Sequence, residues 1–398
     1  MFISGILELF KPSEMAVEKT EFLVTIIIVL VAVKLAGELS IRIGQPSVFG
    51  KLLVGLIVGP SLLGIIHETE LLKELAEVGV LFLMFIAGVE TDVQEFLKTA
   101  KGAAIAAVMG VVAPLAAGYW LAVAYGYDWA RALFVGTILV ATSVSISVQT
   151  LRELGRLQTR EGFTILGAAV IDDILGLVTL SVVLGLTLGQ GAGAVGIAVL
   201  GAKVILFFAA GVFIGLYFIP KVLDYAFRLG VTVPVLTAGI LIALAYAVGA
   251  ELMGMAGIVG AYLAGLMISM TPHQHDIFER MESVGYSFFI PFFFVSIGIA
   301  ADARGLTGDL IMFTVIATIL AVLTKVIGCG AGAMLSGLDF RGALGVGAGM
   351  VARGEVALIV AKIGLDSGLI GEALFTSMVV VAIVTTVVTP PMLRLVFK

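Results

Sequence analysis

The chain has 398 residues, of which 60% are hydrophobic and 13% are charged. About a quarter of the residues in a soluble domain are charged, so this composition excludes a soluble protein. The net charge of −5 at pH 7 provides no broad basic surface and argues against nucleic acid as a partner. The single cysteine, Cys329, excludes an intrachain disulfide and a metal site built from several cysteines.

Apolar runs of about 20 residues are long enough to cross the hydrocarbon core of a bilayer as helices. In chain order, such runs predict an all-α polytopic membrane protein with about thirteen transmembrane helices. The predicted spans are 22–41, 47–66, 71–88, 102–125, 131–148, 162–186, 195–220, 232–250, 255–270, 285–300, 309–335, 341–363 and 373–396.

The loops on one side of the predicted membrane carry most of the Lys and Arg residues, including Arg152, Arg156 and Arg160. Short cytoplasmic loops retain positive charge, so this side is predicted to be cytoplasmic. The N-terminus is then outside and the C-terminus cytoplasmic, in the inner membrane of a prokaryotic cell. We expect no soluble regulatory domain, because the last span reaches the end of the sequence.

The fifth and twelfth spans resemble each other when they are aligned with an offset of 211 residues. The spans are seven apart, so the two copies run in opposite directions through the membrane. Two such inverted-topology repeats are typical of secondary transporters. The matching residues are Ala132, Leu133, Val135, Gly136, Val140 and Ala141 in the fifth span and Ala343, Leu344, Val346, Gly347, Val351 and Ala352 in the twelfth.

Both of these spans contain residues that disfavour a continuous helix. The fifth has Thr142 and Ser143, followed by two more serines, and the twelfth has four glycines between 345 and 354. Broken helices at corresponding places mark the substrate site of many transporters, so Thr142 and Ser143 are predicted to line an ion site. The alternative is that these small residues only pack neighbouring helices.

Three ionisable residues lie well inside predicted spans: Asp172 and Asp173 in the sixth, and Lys325 in the eleventh. Each such group costs at least about 2.5–3.5 kcal/mol at mid-bilayer, so it needs a partner or a cavity. Adjacent residues on a helix point about 100° apart, which predicts different roles for the two carboxylates. Lys325 would pair with one, and the other would alternate between a proton and sodium, which prefers oxygen ligands. The alternative is a structural salt bridge beside a permanently protonated aspartate.

Further charged residues lie near the predicted break in the twelfth span and in the first span. Arg353 and Glu355 flank the break, where they would support the ion site or brace unwound backbone. Lys34 and Glu38 are four residues apart and are predicted to form a structural ion pair near the end of the first span.

Nearly the whole chain resembles the monovalent cation:proton antiporter-2 family, which includes bacterial sodium/proton antiporters and Kef-type potassium efflux proteins. The resemblance depends on the order of several motifs along the chain. These are GQPSVFG at 44–50, GPSLLG at 59–64, FIAGVE at 85–90, Asp172-Asp173, Lys325 and ARGE at 352–355.

The resemblance implies the sodium/proton antiporter fold, with crossed, broken helices and a homodimeric assembly. It implies that sodium or a proton binds at Asp173, with Asp172 beside it and paired to Lys325. An Asp-Asp pair resembles that of electrogenic members, and the absence of asparagine rules out the Asn-Asp pair of electroneutral relatives. Core helices, at about 71–186 and 309–398, would move against dimerisation helices at about 22–66 and 195–300.

The sequence therefore predicts a transporter, not an enzyme, that exchanges sodium or lithium for protons by an elevator-like alternating-access mechanism. Its partners would be the two ions, membrane lipid and a second copy of the chain, with no cofactor. A potassium/proton antiporter or Kef-type efflux protein is the nearest alternative. A passive channel and an intramembrane aspartyl protease are more remote, because adjacent aspartates on one helix diverge instead of converging on one water.

Overall fold

A computed structural model describes residues 14–60, 62–66, 69–188, 193–299 and 308–397, and these residues form helices joined by short connections. A π-helical segment, Gly285–Phe289, connects the helix that ends at Val284 with the helix that begins at Ile290. The helices are α1 (Glu14–Arg42), α2 (Ser47–Val58), α3 (Glu70–Glu90), α4 (Val93–Ala124), α5 (Trp129–Val140), α6 (Val144–Glu153), α7 (Arg160–Leu188), α8 (Gly193–Tyr217), α9 (Ile219–Phe227), α10 (Pro234–Leu252), α11 (Gly257–Ile268), α12 (Gln274–Val284), α13 (Ile290–Ile299), α14 (Gly308–Leu335), α15 (Phe340–Gly349), α16 (Glu355–Asp366) and α17 (Glu372–Phe397).

Among these described residues, nine helical segments are long and apolar enough to cross a membrane. Helices α2 and α11 are shorter but also apolar. Large hydrophobic side chains such as Leu35, Ile205 and Ile327 are more than 60% exposed, which suits contact with lipid and not with water. The chain is thus an integral membrane protein, in agreement with its composition.

The predicted interruptions of the fifth and twelfth spans are confirmed. The fifth span is divided into α5 and α6 by an extended segment at 141–143. The twelfth is divided into α15 and α16 by a non-helical segment at 350–354. The two segments touch, since the Ser143 N–H donates a hydrogen bond of 2.8 Å to the Ala352 carbonyl. Gly354 permits this approach, because a Cβ atom there would lie only 2.7 Å from the Ser143 Oγ.

The two interrupted helices also begin alike. Asp128 caps α5 by accepting hydrogen bonds from the Ala130 and Arg131 amides, and Asp339 caps α15 by accepting one from the Gly342 amide. A carboxylate at this position satisfies amides that have no partner inside the helix. Asp128 and Asp339 are 211 residues apart, which is the same offset that aligns the fifth span with the twelfth.

Helix α4 packs against α5, α7 and α14 and so lies at the centre of the helices around the interruptions. Gly110 faces α14 so closely that a Cβ atom there would lie 2.3 Å from the Cys329 Sγ and 3.7 Å from the Lys325 Nζ. This close approach brings α14 near enough to α7 for their charged residues to meet.

Helix α3 packs mainly against α11 and α13, although residues from about 71 onward were expected to belong to the core helices. A Cβ atom at Gly88 would lie 2.3 Å from the Tyr262 carbonyl oxygen of α11, and one at Gly79 would lie 2.4 Å from that of Phe289. Glycine at both positions allows the backbones to approach at a distance that a larger residue would prevent.

The predicted ion pair between Lys34 and Glu38 is wrong. Glu38 accepts a hydrogen bond of 2.9 Å from the Arg42 Nε, one turn further along α1. Lys34 instead donates to the Tyr286 carbonyl at 3.4 Å. The observed order, with the acid before the base, is the more favourable one for charges four residues apart in a helix.

Candidate ion-binding site

The centre of the site is a buried ion pair between α7 and α14. The Lys325 Nζ lies 2.9 Å from the Asp172 Oδ1, and the two side chains are 0% and 1% exposed. The other oxygen, Asp172 Oδ2, is buried and has no hydrogen-bond partner among the described residues. The residues alone left open which aspartate pairs with Lys325, the family resemblance implied Asp172, and Asp172 is the partner in the structure.

Asp173, the next residue of α7, lines a small cavity beside this pair. The cavity has a volume of about 30 Å³, enough for one or two water-sized species. It is lined by Thr137, Ala141, Thr142, Asp172, Asp173, Gly176, Leu177, Leu180, Val356 and Val360. The lining residues thus include two aspartates and two threonines, and the others are apolar.

The hydroxyl residues of the first interruption lie where the sequence predicted them, at the junction of the broken helices. Thr142 is 4% exposed and lines the cavity, whereas Ser143 is fully buried and is hydrogen-bonded through its amide to the segment between α15 and α16. One turn further, the Ser147 Oγ donates a hydrogen bond of 2.5 Å to the Gly349 carbonyl. The two interrupted helices are thus joined at two places near their crossing.

Arg353 stabilises the unwound backbone and does not line the cavity. Its guanidinium, 1% exposed, donates two hydrogen bonds to the Leu139 carbonyl, at 2.8 and 3.1 Å. Further bonds go to the carbonyls of Ala321, at 3.1 Å, and Val351, at 2.8 Å. The end of α5 carries carbonyls without helical partners and a partial negative charge, and a guanidinium satisfies both.

Glu355, the other charged residue predicted at this break, is the first residue of α16, and its side chain lies outside the described part of the structure. Helix α17 also holds the backbone of Arg353 in place, because the Thr386 Oγ1 donates a hydrogen bond of 2.5 Å to the Arg353 carbonyl.

Two residues of the site and its surroundings were not predicted from the sequence. Thr137 lines the cavity from α5, one turn before the interruption, and Thr386 lies in a group of three buried threonines in α17. Thr137 could have been found by extending the predicted site one helical turn back from Thr142. Nothing in the sequence near Thr386 points to Arg353, because the contact joins residues 33 positions apart.

The arrangement is suited to binding a small, hard cation. Carboxylate, hydroxyl and carbonyl oxygens are the ligands that such ions prefer. The Lys325 ammonium pairs with one carboxylate at 2.9 Å, while the second borders a space in which a cation or a proton can neutralise it. Binding of one would therefore oppose binding of the other.

Comparison with known proteins agrees with this geometry. The family described as "Sodium/hydrogen exchanger, transmembrane" matches residues 24–398. The Na(+)/H(+)-K(+) antiporter GerN of Bacillus cereus is 44% identical over 377 residues, which cover 95% of this chain and 96% of that protein. The Na(+)/H(+) antiporter of Enterococcus hirae is 36% identical over 374 residues, covering 94% and 97% of the two chains.

The fold is also found in a solved structure. That of the sodium proton antiporter MjNhaP1 from Methanocaldococcus jannaschii superimposes with a TM-score of 0.67 and 17% identity, covering 94% of this chain and 98% of that one. At this identity the likeness concerns the fold alone. The family match over residues 24–398 and the two relatives covered along nearly their full length show that the chain belongs to the sodium/hydrogen exchanger family of membrane transporters.

Proposed function

We propose that the protein exchanges sodium for protons and that Asp173 binds the two ions alternately. The observation that supports this most directly is the division of labour between the adjacent aspartates. Asp172 is held by Lys325 at 2.9 Å, whereas Asp173 borders the cavity together with Thr142 and Thr137. In such a place a proton and a cation each neutralise the carboxylate, which makes the two compete for one site.

The exchange is electrogenic in this proposal, as in the Asp-Asp members of the cation:proton antiporter-2 group, where we place this chain. One proton leaves Asp173 when sodium arrives. A second proton is carried if the Asp172–Lys325 pair opens during the cycle, because the lysine and the carboxylate can then change protonation separately. Opening the buried pair favours this change in protonation, because each separated charge is uncompensated in a region of low dielectric.

Transport proceeds by an elevator-like movement in this proposal. We assign α4–α7 and α14–α17 to the moving core, and α1, α2 and α8–α13 to the scaffold through which two copies form a homodimer. Helix α3 belongs with the scaffold in this division, because it packs on α11 and α13. The N-terminus lies outside and the side with Arg152 is cytoplasmic, in a prokaryotic inner membrane.

Potassium is the alternative cation. The name of the Bacillus cereus relative includes potassium beside sodium and protons, and that protein is 44% identical to this one. The same oxygen ligands bind either ion, so selectivity depends on the size of the site and on the number of its ligands. Measuring proton flux with lithium, sodium, potassium and rubidium in turn distinguishes the two functions.

The test of the site uses purified protein in liposomes that contain a pH-sensitive dye. Asp173→Asn should abolish sodium-driven proton flux, because an amide can neither release a proton to water nor provide the negative charge that an incoming cation neutralises. Asp366→Asn is the matched control, since Asp366 forms an exposed ion pair with Lys362 at 2.8 Å on α16. Sodium-driven flux that persists in Asp173→Asn at the control rate would contradict the assignment.

The test of electrogenicity repeats the flux measurement with the membrane potential clamped and unclamped. An electrogenic exchanger slows as it builds up an opposing potential, so clamping should accelerate wild-type flux. Lys325→Gln should remove this acceleration while leaving exchange detectable. Equal clamped and unclamped rates in the wild-type protein would show electroneutral exchange.

A further inference from the structure

A second cluster of polar residues lies at the far end of α6, about three turns from the ion site. Gln149, Arg152 and Glu153 are at the end of α6, and their side chains contact α2, α12 and the π segment, all of which we assign to the scaffold. The cluster adjoins a cavity of about 710 Å³ that is separate from the one at Asp173. None of its residues belongs to the proposed ion site.

Glu153 acts as the N-terminal cap of α2. The residue before this helix is Pro46, which provides no side-chain cap. The Glu153 carboxylate accepts a hydrogen bond of 2.5 Å from the Ser47 amide and another from the Ser47 hydroxyl. The Lys51 Nζ lies 3.7 Å from the same carboxylate. A negative charge at a helix N-terminus is favourable, so α2 gains its cap from a helix of the proposed core.

Arg152 forms the second half of the cluster. Its guanidinium binds the Glu282 carboxylate of α12 and the Tyr286 hydroxyl, both at 2.8 Å, and lies 3.0 Å from a carboxylate oxygen of Glu90. The Tyr286 hydroxyl in turn donates a hydrogen bond of 2.5 Å to the Gln149 side chain. The Arg152 side chain is only 15% exposed, so these charge-assisted bonds are partly shielded from water.

Helix α6 connects this cluster directly to the ion site. It begins immediately after Ser143, and its residues from Val144 to Leu151 form two buried turns between the two regions. The cavity at Asp173 is lined from the opposite direction, by the part of α7 that follows Asp173 and by α16. In this conformation the proposed core and scaffold are therefore bonded to each other at this end of α6.

We propose that Gln149, Arg152 and Glu153 form an interdomain clamp that stabilises this conformation and must open during each transport cycle. The inference rests on the proposed function, since it requires a core that moves against the scaffold. The clamp residues are positioning residues, because they act on the ion site through α6 and do not touch the ion. Their bonds exist in one conformation, so removing them shifts the population toward the other.

Weakening the clamp should change sodium affinity in opposite directions on the two faces of the membrane. The apparent affinity at one face is higher when a larger fraction of molecules has its site open to that face, and in this proposal the clamp raises that fraction for one of the two faces. In Arg152→Gln the apparent KM for sodium at one face should rise at least about five-fold, and the KM at the other face should fall. Oriented liposomes with sodium added on one face at a time provide the two values.

Two milder variants keep the test usable if Arg152→Gln does not fold. Glu153→Gln removes the charge that caps α2, and Tyr286→Phe removes only the hydroxyl that links Arg152 to Gln149. Both should shift the two KM values in the same sense as Arg152→Gln. Lys362→Gln, which breaks an exposed pair on α16, is the control and should leave both values unchanged.

A cross-link supplies an independent readout. In a Cys329→Ala background, the substitutions Ser47→Cys and Glu153→Cys provide two thiols that a short, thiol-specific and reductant-cleavable reagent can join. Exchange should stop on cross-linking and return on reduction. Cross-linked protein that exchanges ions at the unlinked rate, or KM values that stay equal to wild type in every clamp variant, would overturn the clamp. Wild-type protein without sodium-driven proton flux would instead refute the proposed function.

Discussion

Replacing Lys325 by methionine leaves Asp172 without its cationic partner, and the structure indicates the size of the effect. Both side chains are at most 1% exposed, and the second oxygen of Asp172 has no hydrogen-bond partner among the described residues. Removing one member of a buried pair costs about 3–5 kcal/mol, because the remaining charge is uncompensated. We therefore expect Lys325→Met to lower the free energy of unfolding by about 4–5 kcal/mol.

The double variant Asp172→Leu/Lys325→Met should recover most of this loss. Apolar replacement of a whole buried ion pair is often neutral or stabilising, since no charge remains to be desolvated. The assay is reversible unfolding in mixed detergent micelles, with the free energies combined in a double-mutant cycle. If the losses of the two single variants simply add in the double variant, the two residues are not coupled and the reasoning fails.

The pH dependence of the single variant checks the same argument. In Lys325→Met the buried carboxyl avoids an unfavourable charge by keeping its proton, so the folded state binds more protons than the unfolded state. Stability must then fall as pH rises, whereas the double variant, with no carboxyl at this position, should not show this loss. A pH-independent difference between the single and double variants would mean that Asp172 does not ionise on unfolding.

Three further outcomes are expected. Gly110→Ala should destabilise the protein by about 1–3 kcal/mol through overpacking, because the new Cβ would lie 2.3 Å from the Cys329 sulfur. Adding Cys329→Ala should restore the stability, and thermal unfolding measures the loss and the recovery. Gly354→Ala, whose Cβ would lie 2.7 Å from the Ser143 hydroxyl, should slow sodium-driven flux, whereas Gly371→Ala, with open space around it, should match wild type. Lowering the pH on the sodium side should raise the apparent KM for sodium without lowering the maximal rate, and a fall in the maximal rate alone would exclude simple competition.

The interrupted helices and the ion pair could be predicted because each leaves a local mark in the sequence. Serines, threonines and glycines inside an apolar run weaken a helix at that point, and a charged residue at mid-bilayer requires a partner. The choice between Asp172 and Asp173 as that partner could not be made from residue order. It depends on the rotation of α7 relative to α14, although the family resemblance had already implied Asp172.

The role of Arg152 in the clamp could not be predicted for a different reason. Its partners Glu90, Glu282 and Tyr286 come from distant parts of the chain, and in the sequence Arg152 is one of several basic loop residues. Helical spacing likewise allowed Glu38 two partners, Lys34 and Arg42, and a tertiary contact of Lys34 decided between them. Local rules identify which residues need partners, but the fold selects the partner.

The volume of the cavity at Asp173 has a consequence for the kinds of cation that can be carried. About 30 Å³ holds one or two water molecules, far less than a sodium ion with its full hydration shell. An ion that binds there, as proposed, would therefore leave most of its water outside the cavity and replace it with oxygens of the protein. Methylated ammonium ions cannot lose their methyl groups as a sodium ion loses its water. They should therefore be too large for the cavity, although they carry the same charge.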